Sequence, residues 1–246
     1  MITIETMPKY LDNSPLYSVI LEIRFTSQVP DEAVPGLLYS KLLADGVSIQ
    51  SESLPVSQLP LALRQQDPNL KFAPTQQFSL LDQTINIGSN VLSLEANNGL
   101  KEKSYPGWDA FSSQFEALLG KLNFISEIER IGLRYVNFFK EEDLLSELNV
   151  ELTTGWESRG AETGSTIIFS VQEEQMKSKV TIACDATIED KSGKREGQVI
   201  DVDTYIDVPT PIDDVVARVH AAHALTKKIF YSLPKQSLME KMSPHE

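Results

Sequence analysis

Residues 17–25 read Tyr-Ser-Val-Ile-Leu-Glu-Ile-Arg-Phe, so Tyr17, Val19, Leu21, Ile23 and Phe25 occupy alternate positions. Only an extended strand repeats every two residues, and so regular an alternation requires a sheet with one face against a core and the other toward water. A helix over the same stretch would scatter those five side chains around its circumference. A second strand of this character is predicted at 128–139, and further strand-like stretches at 72–81, 84–96, 165–173, 178–188 and 198–208.

Helical spacing separates these runs. Asp31 reads as the N-cap of a helix carrying Val34, Leu37, Leu38 and Leu42 and stopped by Gly46. The span 51–60, with two prolines and three serines, reads as a loop or the start of an edge strand, and Asn97–Gly99 as a turn. Pro106 opens a helix whose stripe is Trp108, Phe111, Phe115, Leu118, Leu119 and Leu122. Glu141–Leu148 is expected to be a short helix and 189–197 a polar hairpin tip. The last helix, 211–232, is expected to be capped by Thr210 with Asp213 three residues on, and to bury Ile212, Val215, Val216, Val219, His223, Thr226, Phe230 and Leu233.

Runs of strands closed by a helix, without regular βαβ alternation, give an α+β class with antiparallel sheets. Ile23-Arg24-Phe25 aligns with Leu133-Arg134-Tyr135 at an offset of 110 residues. The expected organisation is two similar β-α-β-β-β-α-like halves, 1–123 and 124–246, with sheets packed against long amphipathic helices in one compact body.

Composition removes several classes of function. Cys184 is the single cysteine, which excludes an intramolecular disulfide and a zinc site built from several thiolates. No run approaches the roughly 20 apolar residues of a transmembrane helix. The first residues lack the basic and apolar regions of a secretory signal, so a cytoplasmic location is expected. Thirty-five acidic against 22 basic residues leave a net charge of −13. With no basic stripe, this balance disfavours nucleic acid and favours attraction to basic proteins.

Three segments together resemble a known family. Asn13–Phe25, Tyr105-Pro-Gly-Trp-Asp-Ala-Phe111 and Arg130-Ile-Gly-Leu-Arg-Tyr-Val-Asn137 are similar to recurrent blocks of a sporadically distributed, functionally uncharacterised family of prokaryotic proteins of about 250 residues. His223 followed by Phe230 matches the end of its last helix. The resemblance brings no catalytic residues and no cofactor, and the family's patchy occurrence implies an accessory locus, of the defence or toxin-antitoxin kind.

Chemistry-bearing residues are sparse. Arg24, Arg130 and Arg134 sit on strands, and their guanidinium forks suit a carboxylate or phosphate in a groove between the halves. Glu22 and other acids of an open sheet face offer the same arginines ordinary salt bridges. His220 and His223, three apart, have the spacing of neighbouring metal ligands, but a third ligand is missing nearby. His223 also falls in the apolar stripe, and His245 is expected in a disordered tail. Asp201, Asp203 and Asp207 share a strand face, as oxygen ligands of a divalent cation or as a solvated row, and Glu141-Glu142-Asp143 form a second acidic group. The loop 155–164 is glycine-rich but fits no phosphate-binding motif. Cys184 is expected on a buried face as a small core residue.

The leading expectation is therefore a non-enzymatic protein-binding or regulatory component with a protein partner, no cofactor, no catalytic residue and no metal site. The alternatives are a small-anion binder using Arg24, Arg130, Arg134 and His223, and a metal-dependent hydrolase using His220, His223 and nearby acids. Oligomeric state is left open.

Overall fold

The computed structural model describes residues 7–81, 83–97, 105–140, 143–151, 165–190 and 193–245. In chain order the elements are β1 (Tyr10–Leu11), β2 (Leu16–Ser27), α1 (Val34–Ala44), β3 (Gln50–Ser53), α2 (Leu61–Gln66), α3 (Pro68–Lys71), β4 (Gln76–Ser79), β5 (Thr84–Ile87) and β6 (Val91–Asn97). There follow α4 (Trp108–Leu119), β7 (Ile125–Phe139), β8 (Thr166–Glu173), β9 (Met176–Asp190), β10 (Gly193–Ile206), α5 (Val215–Ser232), α6 (Gln236–Lys241) and β11 (Pro244–His245). The class is α+β, dominated by a large antiparallel sheet whose strands hydrogen-bond in the order β3-β4-β5-β6-β2-β7-β10-β9-β8. No helix among the described residues is long and apolar enough to cross a membrane.

The chain divides into two compact units, each assembled from separated segments. The first comprises Met1–Tyr17, Arg134–Thr204 and Ala221–Glu246, the second Ser18–Leu133 and Tyr205–His220.

In the second unit, β2 pairs antiparallel with β6 so that Val19 lies opposite Ala96, Leu21 opposite Leu94 and Ile23 opposite Leu92. All six are buried, and Val19, Leu21, Ile23 and Phe25 have no exposed surface. Each large side chain so buried contributes about 1.5–3 kcal/mol before entropy is counted. Helix α1 adds Val34, Leu38 and Leu42, and α4 adds Phe111, Phe115, Leu118 and Leu119. The span 84–96 is two strands instead of one, because the chain reverses at Gly88-Ser89-Asn90. A side chain at Gly88 would stand 2.8 Å from the Ala73 carbonyl oxygen, so the turn closes only on glycine.

In the first unit, Val180, Ile182, Ile200 and Val202 from β9 and β10 share a core with Leu225, Ile229 and Phe230 of α5 and with Leu238 of α6. Through this core runs a file of buried hydroxyls. Ser178 Oγ and Thr204 Oγ1 lie 2.8 Å apart, Thr204 and Thr226 Oγ1 lie 2.8 Å apart, and Thr226 Oγ1 is 2.8 Å from the Ala222 carbonyl oxygen. Each hydroxyl holds one proton, so all three contacts are satisfied when Ser178 donates to Thr204, Thr204 to Thr226 and Thr226 to the carbonyl. β1 pairs with β11, and His245 stacks on Tyr10 at 4.5 Å with its Nε2 2.6 Å from Asp12 Oδ2.

Several helix starts differ from the sequence expectations. Asp31 caps nothing: it lies inside a 3-10 turn, Asp31–Ala33, and its carboxylate accepts a hydrogen bond from Gln65 Nε2 at 2.8 Å. Pro106 precedes α4 by two residues, because Gly107, with φ of +91°, turns the chain into the helix. Thr210 donates its hydroxyl to the Val208 carbonyl at 2.8 Å instead of capping, and a 3-10 turn at Ile212–Asp214 leaves Ile212 41% exposed, outside the buried stripe. Near 144–147 the expected helix is a 3-10 turn. His245 is ordered in β11. The residues Asn98–Gly99, Glu141–Glu142, the loop 155–164 and Lys191–Ser192 lie outside the described residues.

Replacing Thr204 with the isosteric valine breaks the hydroxyl file at its middle and strands the buried Ser178 hydroxyl without its acceptor. Urea unfolding is expected to show a loss of about 1–3 kcal/mol with an unchanged m-value.

Candidate functional site

The arginines singled out by the sequence each stand beside a carboxylate. In the second unit, Arg24 Nε donates to Glu22 Oε1 at 2.9 Å, two residues away on the same face of β2, and its guanidinium lies 4.6 Å from the Phe72 ring centroid. Also in that unit, Arg130 Nη1 donates to Asp207 Oδ1 at 3.1 Å while its guanidinium stacks 4.1 Å over Tyr205. In the first unit, Arg134 grips Asp201 with both prongs of its fork, Nε to Oδ1 at 2.9 Å and Nη2 to Oδ2 at 2.7 Å. Two of the three aspartates considered as cation ligands are thus counter-ions of two of the three arginines considered as anion ligands. Alternation puts Arg130 and Arg134 on one side of β7, and Asp201 on the matching side of the next strand.

The histidines are placed separately. His220, exposed on α5, accepts the indole N–H of Trp108 at Nδ1 over 3.0 Å, with the two rings edge to face at 5.5 Å. This bond fixes the neutral ring as the Nε2–H tautomer. His223, half-buried, has Nδ1 3.0 Å from the Tyr135 hydroxyl. The four ligand candidates divide between the units, Arg24 and Arg130 in one, Arg134 and His223 in the other. Among the described residues, no group of three or more His, Cys, Asp or Glu side chains is placed to hold a metal ion. Cys184 is half-exposed instead of buried, and its thiol is held above the usual range, first by partial burial and then by the negative charge of Asp143. A thiol so disposed stays protonated and is a poor nucleophile.

A surface that sequence reasoning did not single out is β8, which among the described residues is an edge strand, hydrogen-bonded to β9 on one side alone. The Cys184 N–H donates to the Ser165 carbonyl at 2.9 Å, which sets the phase of the ladder. Ile167, Phe169 and Val171 accordingly turn their backbone groups toward β9, and Thr166, Ile168, Ser170 and Gln172 turn theirs outward. Thr166 to Gln172 carry no charge and no proline, and Ile168 is 58% exposed. On the opposite side of the strand, Phe169 and Val171 line a groove of about 470 Å³ with Leu225, Ile229 and Leu233 of α5. Lys228 and Glu173, paired at 2.7 Å, also line it. The other sheet edge, β3, is four exposed polar residues including Glu52. Short, charged edges are guarded against further pairing, and long, uncharged ones are open to it. The sequence signal for β8 was its run of β-branched and aromatic residues, which marks a strand but not its place at an edge.

No family model matches the chain, and no curated protein matches it.

The Arg134–Asp201 pair is asymmetric, since the Asp201 side chain is 15% exposed and that of Arg134 48%. Arg134→Met is therefore expected to cost more than Asp201→Asn in denaturant unfolding, with a coupling of about 1 kcal/mol in the double-mutant cycle. Replacing His220 with phenylalanine removes the acceptor of the Trp108 N–H. In a Trp156→Phe background, His220→Phe is expected to shift the indole emission of Trp108.

Proposed function

We propose that this protein is a non-enzymatic, cytoplasmic, protein-binding or regulatory component of an accessory locus, and that it captures its partner by strand addition at β8. The observation that carries the reading is the outward-facing backbone of Thr166, Ile168, Ser170 and Gln172, which takes no hydrogen bond from any described residue. An extended segment laid along this edge gains main-chain hydrogen bonds, while the apolar groove beside Phe169 and Val171 selects its side chains. The occupant is a partner protein that contributes an extended, apolar-alternating segment flanked by basic residues. Its sign follows from the −13 net charge of the chain, which steers basic partners toward it.

The accessory-locus part of the proposal rests on the resemblance carried by Asn13–Phe25, Tyr105–Phe111 and Arg130–Asn137. With it goes the reading of two β-α-β-β-β-α-like halves, 1–123 and 124–246, each closed by a long amphipathic helix. It is supported by the recurrence of an alternating strand at the head of each half and an apolar-striped helix toward its end.

The test is recovery of a stoichiometric partner from native extract with the full-length chain, followed by titration of that partner. Ile168→Lys sets a charge on the edge, and Ser170→Pro removes an outward N–H that β9 does not use. Each variant is expected to keep its fold by circular dichroism and to weaken binding at least about tenfold, on the order of 1.4 kcal/mol. Recovery of no partner, or unchanged affinity in both variants, overturns the reading.

A further inference from the structure

The second unit contains a cleft of about 390 Å³, within the usual range for small-ligand sites. It is walled by α1, β3, α2 and β4, and two of its residues are left chemically incomplete by the fold.

The first is Arg64. Its Nε–H donates to the Leu59 carbonyl at 3.1 Å, but its guanidinium has no carboxylate within ion-pair distance among the described residues. Arg24, Arg130 and Arg134 each have one, and acids outnumber bases 35 to 22 in the chain, so an arginine without a counter-ion runs against the composition. The second is Ser89, which lines the cleft and whose hydroxyl makes no hydrogen bond to any described residue, so it is open to a molecule held there.

The remaining lining decides the ligand class. Asp31 and Glu32 bring two carboxylates to the same cleft, and among the described residues the Asp31 carboxylate takes one hydrogen bond, from Gln65. Tyr39 and Phe78, with ring centroids 5.5 Å apart, supply an aromatic wall. A pure anion would meet the two carboxylates and a pure cation would meet the guanidinium. A molecule carrying both charges close together, with an apolar portion, satisfies every group.

We propose that this cleft binds a free amino acid with an apolar side chain. Arg64 takes its α-carboxylate through the fork, Asp31 and Glu32 take its ammonium, Ser89 completes its hydrogen bonding with the bound molecule, and the side chain lies against Tyr39. The site belongs to a different unit from β8, so it stands or falls independently of partner binding.

The twenty standard amino acids, titrated singly into the full-length protein by calorimetry and thermal shift, test this directly. At least one apolar amino acid is expected to bind saturably and raise the melting temperature. Its N-acetyl and its amide derivatives, each lacking one charge, are expected to bind at least about tenfold more weakly, as is the parent amino acid to Arg64→Met. Ser89→Ala removes a hydroxyl that makes no hydrogen bond to any described residue, so it is expected to leave the stability of the free protein unchanged while weakening the ligand. The proposal is overturned if no amino acid binds, if the N-acetyl derivative binds as well as the parent, or if Arg64→Met, folded by circular dichroism, retains full affinity.

Discussion

A strand has two faces, and burying one commits the other. In β2 the fully buried row Val19, Leu21, Ile23 and Phe25 leaves Glu22 and Arg24 together on the opposite side, where they pair. In β10 the buried row Ile200, Val202, Thr204 and Ile206 leaves Asp201, Asp203 and Tyr205 on the other face, where Asp201 receives the Arg134 fork and Tyr205 carries the Arg130 guanidinium. These arginines are therefore paired on the sheet itself, Arg24 within β2 and Arg134 with the neighbouring β10. Reading these arginines as ligand groups overlooks that carboxylates of the same or the neighbouring strand already serve as their counter-ions.

This logic also separates the surface that is finished from the surface that is not. Among the described residues, pairing leaves open the outward backbone of β8 and, in the cleft of the second unit, the Arg64 guanidinium and the Ser89 hydroxyl. The two candidate binding features thus differ in kind. One is a row of main-chain groups that recognises extended polypeptide with little regard for sequence, and the other is a small polar cleft that discriminates by charge.

What could be read in the sequence follows the range of the interactions involved. β2 and the stripe of α4 are set by local periodicity and were expected almost to the residue, as was the α+β class. Pairing partners are not local: Arg134 finds Asp201 across 67 residues, and β1 meets β11 across more than 230. No periodicity encodes such registers, which is why His245 reads as tail and folds as strand. The missed helices α2 and α3 have another cause. They hold six and four residues after Pro60 and from Pro68, too short for an amphipathic stripe, and proline at a helix start is the one local sign they offer. Arg64 went unnoticed with them. The cap assignments at Asp31 and Thr210 failed because both side chains had better partners nearby than the helix end, an amide from α2 in one case and a preceding carbonyl in the other.

The way the chain is divided bears on its synthesis. The second unit needs Tyr205–His220 as well as Ser18–Leu133, and the first needs Met1–Tyr17 together with segments reaching Glu246. A ribosome delivers residues from the N-terminus, and domains ordinarily fold as they emerge. Here the earliest-made apolar strand, β2, must wait for more than half of the chain before either unit has all its parts. In the nascent chain β2 is consequently expected to lack part of its unit until Tyr205–His220 has emerged, which leaves its apolar row to be shielded by chaperones in the meantime.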